Sequence, residues 1–83
     1  MKQVYELRYN SEIVGVFPTE NKAIRGMVVY TEYLKENNGI LVTERPLKLD
    51  KYSMIKMSDG NRIYILERDL FPSIVDFKRY LGI

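Results

Sequence analysis

The chain contains no cysteine, no histidine and no tryptophan. Without cysteine there is neither a disulfide framework nor a thiolate zinc site, so a small secreted scaffold stapled by bridges is excluded. Losing histidine as well takes away the commonest general base and the usual transition-metal ligand, and cysteine was the strongest nucleophile. Most hydrolase and redox designs go with them, and no cofactor is expected. The five glycines stand singly at 15, 26, 39, 60 and 82, so no glycine-rich phosphate loop of either common kind occurs. Nowhere do 18 apolar residues stand together, and Met1-Lys2-Gln3-Val4-Tyr5-Glu6 has no basic segment followed by an apolar run. Neither membrane spanning nor a standard secretion signal is expected, and the chain reads as cytoplasmic.

What is present suits one small core. The chain has 83 residues, 46% of them hydrophobic, and no linker, repeat or low-complexity tract, so residues 1–83 are expected to form a single domain. A domain this small buries only roughly 60–65% of its unfolded surface, so a homodimer or a complex would supplement a modest stability. The net charge of +2 is unevenly spread: residues 1–44 carry five basic and six acidic side chains, residues 45–83 eight and five. A basic second half hints at an anionic partner.

Val4-Tyr5-Glu6-Leu7-Arg8-Tyr9 alternates apolar and polar, the signature of a strand with one wet face. Asn10-Ser11 supplies turn chemistry before Ile13-Val14-Gly15-Val16-Phe17, so the two runs predict a hairpin, with Gly15 marking a bulge or a close approach. Pro18 stops the second strand and Thr19 is placed to cap a helix over about residues 20–37, closed by Asn38-Gly39. Ala23, Met27, Tyr30 and Leu34 form its core stripe, flanked by Ile24 and Tyr33. Val28 and Val29 lie toward the polar side, where a monomer gains little from branched apolar residues. They are candidate protein-binding contacts, unless a third layer such as the C-terminal helix covers one of them.

Ile40-Leu41-Val42-Thr43 predicts a third strand, ended by Arg45-Pro46. Asp59-Gly60 between Ser53-Met54-Ile55-Lys56-Met57 and Arg62-Ile63-Tyr64-Ile65-Leu66 predicts a second hairpin. Ser73 and Asp76 have capping-box spacing ahead of a short helix that Gly82 can end, with Ile74, Phe77 and Leu81 expected to dock on the core. The predicted fold is α+β in the order ββαβββα: a mostly antiparallel sheet, a long helix on one face and a short C-terminal helix.

Glu67 and Asp69 would share a face if their strand continues, but beside Arg68 at the surface they read as solvated carboxylates rather than an acid–base pair. Asp59-Gly60-Asn61 lacks the remaining ligands of a calcium loop. Arg45, Lys48, Lys51, Lys56 and Arg62 lie close in sequence, interleaved with Tyr52 and Tyr64. Cations that neutralise phosphates and ring faces that stack bases make these seven residues candidates for binding RNA or single-stranded nucleic acid. Lys56 and Arg62 should be cross-strand neighbours, an arrangement that costs stability. The competing explanation is that lysines protect sheet edges and tyrosines are ordinary strand residues.

Residues 3–36, with Gly15-Val16-Phe17-Pro18-Thr19-Glu20-Asn21-Lys22-Ala23 after the opening hairpin, resemble a pattern seen in small uncharacterised bacterial and phage proteins. There a strand ending in an apolar-Gly-apolar-aromatic run leads into a helix. The compact, histidine- and cysteine-free character is also similar to that of accessory proteins of T-even-like phages, including small inhibitors of host nucleases and toxins. The resemblance implies a non-enzymatic anti-defence factor that inhibits a host protein by occlusion in the host cytoplasm, and it carries over no site residues. The expectation is therefore a binding protein with a protein target, with RNA binding through the second hairpin as the alternative.

Overall fold

The structure, a computed structural model, describes residues 2–83. Its elements follow the order ββαβββα: β1 (Lys2–Tyr9), β2 (Glu12–Phe17), α1 (Glu20–Asn38), β3 (Val42–Glu44), β4 (Ile55–Met57), β5 (Arg62–Leu70) and α2 (Ile74–Leu81). The strands form one antiparallel sheet in the order β2-β1-β5-β4-β3, so the two hairpins are joined through β1 and β5. That central ladder runs the full length of β1, from Lys2 opposite Leu70 to Tyr9 opposite Ile63. Having β1 as a neighbour is what carries β5 four residues past the expected end at Leu66.

The local signals act as their chemistry requires. Asn10 turns the first hairpin at φ 57°, and Gly60 turns the second at φ 86°. The Thr19 hydroxyl accepts from the Lys22 backbone N–H at 3.3 Å, and Gly39 closes α1 at φ 67° with its N–H on the Leu34 carbonyl. Residues 47–52 form no strand. Asp50 instead accepts from the Tyr52 N–H at 2.8 Å, and the buried Ser53 hydroxyl donates to the Lys48 carbonyl at 3.0 Å.

Alternation along each strand decides what α1 covers. Leu7, Ile55, Met57, Ile63 and Ile65 point to one face, where they close a core with Ala23, Met27 and Leu34 of the helix. Thr31 is buried in the same stripe because its hydroxyl donates to the Val28 carbonyl at 2.7 Å, which satisfies it within the helix. Among the described residues, no helix packs on the opposite face of the sheet.

The C-terminal helix departs from expectation. Ser73 and Gly82 cap it as predicted, but Ile74, Phe77 and Leu81 do not dock on the core: no residue of α2 is buried. It packs on Phe71, whose ring lies 5.0 Å from Phe77 and 5.3 Å from Tyr80. The reason is geometric. β5 carries the chain out along β1 to its Lys2 end, beyond where β2 begins to pair at Tyr5, so α2 starts at the tip of a two-stranded arm. The molecule measures 48 × 23 × 17 Å with a radius of gyration of 15.0 Å. A compact chain of this length would have about 12 Å.

Candidate functional site

Three surfaces remain uncovered by the fold. The first is a groove of roughly 750 Å³ between α1 and the edge strand β2, lined by Val14, Phe17, Val29 and Tyr33 and rimmed by Lys22 and Arg25. Two local features open it. A register shift between Leu7 and Arg8 leaves Val14 as an extra residue in β2, which turns its side chain to the same side as Gly15. Gly26 lets the Phe17 ring slide beneath the helix: a Cβ there would stand 2.5 Å from the Phe17 Cζ. At the far end Tyr30 stacks on Tyr33 at 5.8 Å, and its burial, with Tyr33 and Glu12 nearby, holds the phenol above the ordinary tyrosine pKa.

Val29 lies in this groove and is 68% exposed. Val28 is also exposed but stands outside it, because successive helical residues point about 100° apart. The two valines singled out in the sequence therefore do not form one surface. Gly26, which sets the groove's depth, had no sequence signal beyond a glycine inside a helix.

The second surface is the open face of the sheet. Lys56 stands opposite Arg62, as the hairpin register predicts, and Tyr64 lies opposite Arg8 on the same face. The other members of the predicted basic set are elsewhere. Lys51 reaches Glu67 at 3.0 Å, and Glu67 alternates with Ile63 and Ile65 onto the side that α1 covers, so Lys51 belongs to that side. It also lies 5.0 Å from the Tyr52 ring. Arg45 borders a pocket beside Thr31, Glu32 and Lys35 of α1, and Lys48 is exposed in the loop before β4. Carboxylates neutralise two of the cations, Lys51 through Glu67 and Lys56 through Glu44 at 3.0 Å.

Sequence reasoning missed the charged centre of the open face. Glu6 takes Arg8 at 3.0 Å and Arg68 at 3.3 Å on one carboxylate oxygen. Partial burial pushes its pKa up, but the two guanidiniums outweigh that and hold the carboxyl below its ordinary value. Arg68 is brought there only by the β1–β5 register, 62 residues away in sequence.

The third surface is α2. Ile74 and Leu81 are 70% and 52% exposed, while Phe77 and Tyr80 are braced from behind by Phe71. Lys78 and Arg79 lie in the last turn, and Asp76 is occupied at the cap by Ser73.

Among the described residues no three metal-ligating side chains converge, and no helix is long and apolar enough to cross a membrane. Because β5 runs on to Leu70, Glu67 and Asp69 do alternate onto one face, where Lys51 engages Glu67 at 3.0 Å. The chain matches no family model, no curated protein sequence and no solved structure.

Proposed function

We propose that this chain is a non-enzymatic binding protein that occludes a protein partner by docking α2 into it. The observation that carries this reading is a capped, amphipathic helix held at the tip of the β1–β5 arm with no residue buried. An eight-residue helix is marginal alone, and here the caps at Ser73 and Gly82 and the Phe71 brace take the place of tertiary packing. Ile74, Phe77 and Leu81 recur at spacings of three and four, the pattern by which a helix enters an apolar groove. Lys78 and Arg79 at its end suit a groove bordered by carboxylates. The occlusion mode is the one the resemblance to phage accessory proteins implies.

The test is a paired change, Ile74→Asp with Leu81→Asp. Both side chains are exposed, so the domain should keep its thermal midpoint while the variant loses its protein partner in affinity capture. A well-folded variant that retains the same partner would rule α2 out as the docking element.

The alternative reading, RNA or single-stranded nucleic acid, is favoured by one observation: Arg8, Lys56, Arg62 and Tyr64 share the uncovered sheet face. It calls for affinity that falls steeply with salt and weakens with Lys56→Ala or Arg62→Ala. Salt-insensitive or undetectable binding would dismiss it.

A further inference from the structure

We infer that two copies of this chain associate about a two-fold axis beside Val29, with the α1–β2 grooves facing each other and the helices antiparallel. This surface is separate from α2, so the inference stands independently of the docking proposed above. A two-fold interface must be self-complementary: wherever residue i of one copy meets residue j of the other, j also meets i on the far side of the axis. The groove flank of α1 meets that requirement in its charges. Lys22 and Glu36 are each seven residues from Val29, and Arg25 and Tyr33 are each four. Antiparallel helices centred on Val29 therefore set Lys22 level with Glu36 of the second copy, about 10 Å along the axis on either side. They also set Arg25 level with the second copy's Tyr33, a pairing of a guanidinium with an aromatic face.

The intrachain surroundings of these charges are consistent with a partner's supplying what is missing. Among the described residues, Lys22, Arg25, Glu32 and Glu36 form no ion pair. Lys22 lies in the first turn of α1 and Glu36 in the last, each at the helix end that disfavours its sign. Glu20 and Lys35, by contrast, carry the favoured signs at those ends. Placing an antiparallel copy alongside brings each misplaced charge to its opposite.

The strand beneath reverses under the same axis. The Phe17 end of β2 lies against Gly26, while Glu12 at its other end is close enough to Tyr30 to act on the phenol's pKa. The two-fold that exchanges the ends of α1 thus exchanges the ends of β2, and it directs Glu12 of one copy toward the Lys22 and Arg25 rim of the other. β2 is one of the two outer strands of the sheet and contains neither lysine nor proline, the residues that most often protect an edge. Val14, Val29 and Tyr33, all exposed, become the apolar centre.

Sedimentation equilibrium of the full chain tests this arrangement. The wild type should reach twice the 9.8 kDa chain mass. Lys22→Glu or Glu36→Lys alone creates two like-charge encounters per dimer and should weaken self-association about tenfold or more. Mixing the two single variants should restore association, because only the mixed pair has opposite charges at both encounters. Val29→Asp should give monomers, and Ile74→Asp with Leu81→Asp should leave the dimer intact. A wild type that stays monomeric at high micromolar concentration overturns the inference. So does a dimer indifferent to both charge reversals, a result that leaves protein capture by α2 untouched, or one lost only with the α2 changes, which would place the self-contact on α2 instead.

Discussion

Gly26→Ala probes the packing that shapes the groove. In an exposed helix interior this change stabilises by up to about 1 kcal/mol, since alanine restricts the unfolded chain and suits the helix. Here the new methyl would stand 2.5 Å from the Phe17 Cζ and 3.0 and 3.1 Å from the two flanking ring carbons. Ordinary contact begins near 3.4 Å, so the ring must retreat by about 1 Å or tilt. Overpacking of this kind typically costs about 1–3 kcal/mol. The low end applies, because the offending atom is the far end of a half-buried side chain on an edge strand. Set against the helix gain, the two nearly cancel, so the net expectation is a midpoint in urea within about 0.5 kcal/mol of wild type at unchanged slope, without the gain an open site would give. Combining the change with Phe17→Ala isolates the cause. Once the ring is gone, Gly26→Ala should become stabilising, so the cycle should show a coupling of about 1–2 kcal/mol. Gly26→Ala that stabilises equally in both backgrounds would refute the idea that Phe17 and Gly26 interlock.

The Glu6 ion cluster sets a pH dependence. Its folded pKa lies below the unfolded value of roughly 4.3, so the stabilisation is present above that pH and is lost as pH falls through the folded pKa. Wild type should therefore exceed Glu6→Gln in denaturant midpoint at neutral pH, and the gap should close in acid. A gap that widens in acid would contradict the assigned sign. At the other end of the molecule, Ser73→Ala removes a cap from a helix with no tertiary support. It should reduce helical circular dichroism and amide protection over Ile74–Leu81 while the unfolding of the sheet core stays within about 0.5 kcal/mol of wild type.

How legible these features were in the sequence depended on how local their causes are. The Thr19 and Ser73 caps, the Gly39 and Gly82 stops and the Asp59-Gly60 turn each depend on a few adjacent atoms, and the elements they bound appear where the residues place them. The stripe of Ala23, Met27 and Leu34 was readable because burial of one helix face repeats every three or four residues. Register across the sheet is not local. It carried β5 on to Leu70, brought Arg68 to Glu6, and left Lys51 on the opposite side from Lys56 and Arg62. The docking of α2 failed as an expectation because an amphipathic helix looks the same in sequence whether its apolar stripe meets its own core or another molecule. Only the course of β5 along β1 distinguishes the two. Val28 and Val29 stood out correctly as exposed apolar residues, but their division between the groove and the surface outside it depends on where β2 lies.

The most direct test of protein docking through α2 is nuclease-treated affinity capture from cells with quantitative mass spectrometry, run side by side on the wild type and on Ile74→Asp with Leu81→Asp. The expected result is a stoichiometric protein that survives nuclease with the wild type and is absent from the equally well-folded variant. Capture of the same protein by both chains, or loss of all bound material on nuclease treatment, would contradict it.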